Sequence, residues 1–120
     1  MFTGYFAQYK FYKEHGLQPV SISRVTPQGM PYFPSLPELA PSYDLIRGIK
    51  EGRLTQEEYT TAYKEHLSKL RKEDILARLS EIGDLSKLVL CCYEKPHDFC
   101  HRHIVADWLG ISEYDGIFSL

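Results

Sequence analysis

The chain has 120 residues, a hydrophobic fraction of 43% and a formal net charge of −2 at pH 7. These values are typical of one soluble globular domain over residues 1–120, and the interspersed charges argue against general nucleic-acid binding. The longest apolar run, Leu88–Tyr93, is far too short for a membrane span. The N-terminus lacks the basic and long apolar regions of a signal peptide, so we expect a cytoplasmic protein.

Two strands, a short helix and a long loop are predicted in the first third of the chain. Residues 1–7 are rich in aromatic side chains and residues 19–24 alternate apolar and polar positions, which favours strands. Residues 9–15 predict a short helix closed by Gly16. Residues 26–41 hold five of the seven prolines, so they predict a stiff loop that packs down as a lid or binding wall. The apolar side chains of this loop are Tyr32, Phe33, Leu36 and Leu39.

Three helices are predicted next. Ser42 is an N-cap for a helix that Gly52 ends. Thr55 and Glu58 have the spacing of a capping box, which starts a second helix that runs to about Leu70. A third helix covers 75–82 and is closed by Gly83.

The remaining pattern predicts a strand followed by a helix. Lys87–Cys92 has a polar start and then a continuous apolar run, typical of a strand buried on both faces of a parallel sheet. Asp98 is the predicted N-cap of a last helix that ends at Gly110. The whole predicts a small α/β fold, with a mostly parallel sheet flanked by helices in a Rossmann-like two-layer or three-layer arrangement. Ligands bind such sheets beyond the carboxyl ends of the strands.

The junction between that strand and the last helix concentrates reactive side chains. Cys92 and Glu94 follow the strand. Cys100 and His101 are placed in the first helical turn, where the helix dipole attracts anions and lowers the pKa of a thiol. Helical periodicity turns His101 inward. We expect Glu94 or His101 to be the general base, Cys92 or Cys100 the nucleophile, and Arg102 part of an anion clamp.

Two residues of the second strand extend this site. If that strand lies parallel to the later one, Ser23 and Arg24 emerge at the same edge of the sheet. The set predicts a small anionic ligand, carrying a phosphate or carboxylate, and no cofactor. For two of these residues a purely structural role is the alternative to a role in the site. In that alternative His101 is bonded to a backbone carbonyl, and Arg102 forms an ion pair with Glu94.

The three cysteines are predicted to be free thiols. Their number is odd, and Cys91 and Cys92 point to opposite faces of a strand, which does not suit a disulfide framework. A zinc site has the right residue types but the wrong spacing, because seven residues separate Cys92 from Cys100 and no second cluster exists. No metal ligands are therefore assigned.

The segment Leu90–Leu109 closely resembles the signature of domain of unknown function family 488. The resemblance extends to Val20–Arg24, to Glu38–Ser42 and to the helix with Glu57–Tyr59. It implies a compact α/β fold of the kind found in small bacterial and phage proteins, and no established reaction. The residues that match the family motif are Ser23, Arg24, Cys92, Glu94, Cys100, His101 and Arg102. At Cys91 the resemblance implies an aliphatic residue instead.

Three functions stay open at this point. The first is an enzyme, a hydrolase or transferase, that acts on a phosphorylated or nucleotide-like small molecule at the junction. The second is a non-catalytic module that senses a small molecule or binds a protein partner through residues 26–41, with Tyr32, Phe33 and Tyr43 as exposed aromatic contacts. The third is a zinc-binding domain.

Overall fold

The computed structural model describes residues 1–24, 29–30, 33–92 and 99–113. Within these ranges the chain forms four strands and five α-helices. In chain order they are β1 (Phe2–Tyr5), α1 (Tyr9–Glu14), β2 (Gln18–Ser21), α2 (Tyr43–Lys50), α3 (Gln56–Ser68), α4 (Lys72–Ile82), β3 (Leu88–Cys92), α5 (His101–Leu109) and β4 (Ser112–Glu113).

The four strands form one parallel sheet in the order β2-β3-β1-β4. The predicted small α/β fold is therefore confirmed. All five residues of β3 are buried, as expected for an inner strand covered on both faces. No helix in the described ranges has the length and apolar character needed to cross a membrane.

Alternation along β3 separates two apolar clusters. Leu88 and Leu90 belong to the larger cluster, which α3, α4 and α5 cover. Val89 and Cys91 belong to the smaller cluster on the other side, with Tyr12 of α1. Because successive strand residues face opposite ways, Cys92 returns to the side covered by α5. The side chains of Cys91 and Cys92 thus lie on opposite faces of the sheet.

Local capping chemistry sets three of the helix ends. Ser42 Oγ accepts a hydrogen bond from the backbone N–H of Leu45 at 3.2 Å. Thr55 and Glu58 form the reciprocal capping box at the start of α3. Gly110 ends α5 with a φ of 70°, a left-handed conformation that glycine adopts without steric cost. These three predicted boundaries are confirmed.

The start of α5 differs from the prediction. Asp98 lies outside the described residues, and the N-cap of α5 is Cys100, with φ −154° and ψ 148°. His101 is therefore the first helical residue rather than the third. The extended backbone of Cys100 cannot continue a helix toward the N-terminus, which places the start two residues later than predicted.

Strand β4 has no counterpart in the prediction. It pairs in parallel with β1, opposite Phe2 and Thr3. A strand of two residues carries no periodic signal, so the pattern of the sequence did not reveal it.

The described end of the proline-rich loop belongs to the core. Phe33, Leu36 and Leu39 are all buried, and Ser35 forms a bridge with Ser21 beside β2. The expectation of an exposed Phe33 is therefore wrong, because its ring stacks on Phe6 in the smaller cluster. Tyr43 is exposed as expected, at 56%, whereas Tyr32 lies outside the described residues.

Tyr63 fastens this loop to α3. Its ring is fully buried, and its hydroxyl donates a hydrogen bond to the backbone carbonyl of Leu39 at 2.5 Å. Burial raises the pKa of Tyr63 well above its ordinary value, so the hydroxyl keeps its proton and remains a donor.

We predict that Tyr63→Phe lowers the free energy of unfolding by about 1 to 2 kcal/mol, because the Leu39 carbonyl loses its buried donor. Urea denaturation followed by circular dichroism measures the change. Tyr43→Phe is the matched control, since it removes a hydroxyl from an exposed ring. Equal midpoints for wild type and Tyr63→Phe would contradict the assigned role of this hydrogen bond.

Candidate functional site

A cavity of about 810 Å³ lies beyond the carboxyl end of β2, between α2 and the start of α5. Four predicted site residues line it: Ser23, Arg24, Cys100 and His101. Ser23 and Arg24 were expected at this edge of the sheet if β2 lies parallel to β3. The two strands do pair in parallel. The other lining residues are Pro41, Tyr43, Ile46, Arg47, Ile49, Lys50, Tyr59 and Phe99.

His101 is held in one orientation at the inner end of this cavity. It is 6% exposed, and its Nε2 lies 2.7 Å from the carbonyl oxygen of Ile22, which follows β2. A carbonyl only accepts, so Nε2 carries the proton and donates. The ring of Tyr63 meets the imidazole edge to face, with centroids 5.5 Å apart. Backbone and ring contacts together fix the imidazole.

The same surroundings keep the imidazole neutral. Burial lowers the pKa of His101 to about 4, an effect that outweighs the hydrogen bond with Ile22. At pH 7 the ring is therefore uncharged, and its Nδ1 presents a lone pair. Sγ of Cys100 lies 3.6 Å from that nitrogen. In the thiol form, Cys100 thus donates its S–H to His101.

Arg102 is buried rather than placed in the cavity. It is 1% exposed, and its Nη1 donates to Sγ of Cys92 at 2.9 Å. The sequence suggested an anion clamp at this residue, but the first turn of α5 packs on the sheet and directs the guanidinium to the end of β3. A guanidinium beside a sulfur atom favours the thiolate form.

Cys92 and Cys100 lie side by side. Their sulfur atoms are in contact and are joined as a disulfide, with the two Cα atoms 7.5 Å apart. This differs from the expectation of three free thiols, which holds for Cys91. The spacing in the sequence did not show the contact, because it depends on the end of β3 meeting the N-cap of α5. Only Cys100 of this pair lines the cavity.

Cys91 has the properties of a core residue. It is fully buried in the smaller cluster, and burial raises the pKa of its thiol far above the ordinary value. Its side chain lies on the sheet face opposite to Cys92. We therefore interpret Cys91 as a small apolar residue of the core and not as a nucleophile.

Arg24 is fixed at the mouth of the cavity. Its Nε donates to the carbonyl oxygen of Pro41 at 2.8 Å, and its guanidinium carbon lies 5.5 Å from the ring centre of Tyr43. The proline-rich loop thus contributes to the wall through Pro41, its last residue. The contact holds a positive charge at the mouth of the cavity.

The contribution of α2 was missed in the sequence. Tyr43, Ile46, Arg47 and Lys50 all line the cavity. Their spacing identifies one face of a helix, but nothing local to the sequence indicates that this partly polar face borders a cavity shared with the start of α5 and the end of β2. Only the tertiary arrangement of these elements identifies it.

Glu94, the other predicted general base, lies outside the described residues, as does the rest of the segment 93–98. Its role stays a prediction. In the part of the chain that the structure describes, no three His, Cys, Asp or Glu side chains are grouped to hold a metal ion.

Comparison with family models identifies the chain. Residues 8–112 match the model described as the active DUF488-N3 subclade. The chain belongs to the DUF488 family. The resemblance of Leu90–Leu109 to family 488 is thus confirmed, and the match in this DUF488 protein covers every candidate site residue. No curated protein and no solved structure matches the chain.

We predict that His101 makes stability depend on pH. Its pKa is about 4 in the folded DUF488 protein and near 6.5 in the unfolded chain. Between these two pH values the unfolded chain binds more protons than the folded protein, so the free energy of unfolding rises with pH. The contribution of His101 to this free energy is lost as the pH falls from 6.5 toward 4. The loss attributable to His101 approaches about 3 kcal/mol.

Denaturant titrations at pH 7, 6 and 5, with a thiol reductant present, measure this dependence. His101→Gln is the comparison, since glutamine offers an amide donor for the Ile22 carbonyl but does not titrate. The other four histidines contribute equally to both proteins. Identical slopes against pH in the two proteins would show that the imidazole is not held neutral.

Proposed function

We propose that this DUF488 protein is a thiol-dependent enzyme, a hydrolase or transferase, that acts on a phosphorylated or nucleotide-like small molecule. The observation that carries the proposal is the Cys100–His101 pair, with sulfur and Nδ1 3.6 Å apart in the wall of a cavity of about 810 Å³. The matched family model is described as an active subclade, which agrees with an enzyme.

The charges around the cavity support an anionic ligand. Arg24, Arg47 and Lys50 are the formally charged residues among the described lining residues, and all three are cations. Cations that converge on a concave, partly apolar site raise the local concentration of anions and orient them. Ser23 adds a hydroxyl to the same wall.

The pair supports covalent catalysis in the dithiol form. As Sγ of Cys100 bonds to an electrophilic phosphorus or carbon of the ligand, its proton moves to Nδ1 of His101. The bond from that atom to the leaving group breaks, and the leaving group takes the proton from His101. Water or another acceptor then attacks the S-linked intermediate and gives its proton to Nδ1. The sulfur departs and regains that proton.

Cys92 and Arg102 do not line the cavity, but they control the state of the Cys100 sulfur in the proposed mechanism. When Cys92 is bonded to Cys100, the sulfur that faces the ligand is neither a thiol nor a thiolate, so it cannot act as the nucleophile until the disulfide is reduced. When the pair is reduced, the guanidinium of Arg102 stabilises negative charge on Cys92, at 2.9 Å. The enzyme therefore has to be reduced to the dithiol once before turnover begins, and a cytoplasmic location, which we also propose, supplies reducing conditions.

Glu94 is the alternative general base that we propose, because it follows Cys92, the last residue of β3, by two positions in the sequence. In that alternative Glu94 takes the acceptor's proton in place of His101, a role that Glu94→Ala tests. Full turnover by Glu94→Ala would remove it from the mechanism.

The test begins with a thermal-shift screen of the reduced protein against nucleotides and sugar phosphates. A ligand at 100 times its dissociation constant stabilises the fold by ~2.7 kcal/mol. Turnover of each hit is then measured for wild type and Cys100→Ala. We expect Cys100→Ala to bind the ligand but to lose at least about 100-fold in turnover.

Cys91→Ala is the matched control, because it removes a buried sulfur from the opposite sheet face and should retain turnover. Wild-type turnover by Cys100→Ala would overturn the proposed function. The non-catalytic alternative, a partner-binding module, predicts another pattern: substitutions in residues 26–41 abolish capture of a protein partner while Cys100→Ala has no effect.

A further inference from the structure

One face of α2 forms a continuous wall of the cavity. Tyr43, Ile46, Arg47 and Lys50 line the cavity at offsets of three, four and seven residues from Tyr43, which is one side of a helix. At 1.5 Å per residue this wall is about 10 Å long. It is long enough to contact a ring and the groups attached to it at the same time.

The apolar part of the wall suits a planar ring. Ile46 and Ile49 of α2 line the cavity together with Tyr59 of α3 and Phe99, which precedes α5. Tyr59 and Phe99 pack edge to face, with ring centroids 5.2 Å apart. Aliphatic and aromatic side chains of this kind bind flat, weakly polar rings by burying their faces.

The charged part of the wall suits more than one anionic group. The side chains of Arg47 and Lys50 are exposed and form no ion pair with a carboxylate within the described ranges. Arg24 adds a third cation, already oriented by its bond to the Pro41 carbonyl. A nucleoside diphosphate carries about three negative charges at neutral pH and neutralises three cations, whereas a monophosphate leaves one cation unpaired.

We propose that this face of α2 selects nucleotides that carry at least two phosphate groups. The ring lies against Ile46, Tyr59 and Phe99, and the phosphates lie with Arg24, Arg47 and Lys50. The inference rests on the proposed function, since it names the substrate class of the same cavity. It also assigns a recognition role to a helix that carries none of the reactive side chains.

Isothermal titration of the reduced protein with the four ribonucleoside diphosphates and the corresponding monophosphates tests the assignment. We expect one diphosphate to bind more tightly than its monophosphate. The double variant Arg47→Gln/Lys50→Gln should lose about 10-fold in affinity for the diphosphate and less than about 3-fold for the monophosphate. Turnover should fall through KM, with kcat retained.

Lys64→Gln/Lys69→Gln is the matched control. It removes the same charge from exposed positions near the end of α3 that do not line the cavity, and it should leave both affinities unchanged. Equal losses for diphosphate and monophosphate, or equal losses in the two double variants, would overturn the assignment.

The two proposals fail in different ways. If no nucleotide or sugar phosphate binds or is turned over, the proposed function fails and takes this inference with it. If a nucleotide is turned over in a Cys100-dependent manner while Arg47→Gln/Lys50→Gln binds it like wild type, only the role of α2 is wrong.

Discussion

The hydrogen bond from Nε2 of His101 to the carbonyl of Ile22 is the contact on which the candidate site depends. It joins the first residue of α5 to Ile22, the residue that follows β2, at the carboxyl ends of the parallel strands β2 and β3. Because Nε2 points to this carbonyl and carries the proton, Nδ1 faces Cys100 with a lone pair. One backbone carbonyl thus sets the tautomer of the imidazole and the direction of its lone pair.

The reactive side chains of the site and its exposed cations come from different elements. Sulfur and imidazole come from the start of α5, inside a region where burial disfavours charge, as the lowered pKa of His101 shows. The cations Arg24, Arg47 and Lys50 line the cavity and are exposed to solvent. The buried cation, Arg102, is directed to Cys92 instead. A guanidinium in the core remains charged, so a sulfur partner that accepts its N–H reduces the cost of burial.

Features that depend on neighbouring residues were predictable from the sequence. The capping box of Thr55 and Glu58, the N-cap at Ser42 and the inward face of His101 follow from patterns a few residues long. The parallel pairing of β2 with β3, which placed Ser23 and Arg24 near His101, followed from the α/β pattern. Side-chain contacts between different elements were not predictable. They include the cavity face of α2, the sulfur partner of Arg102 and the contact of Cys92 with Cys100.

The central place of β1 in the sheet affects how the polypeptide reaches this state. Phe2 pairs with Val89, and Tyr5 with Cys92, so the innermost pairing joins segments from distant parts of the sequence. Loop-closure entropy makes such nonlocal pairing slow, and local helices such as α3 form earlier. During synthesis, β1 remains without its neighbour until β3 has left the ribosome. The side chains of β1 therefore become covered only at a late stage, and a newly made chain exposes residues such as Tyr5 to chaperones before the mature fold buries them.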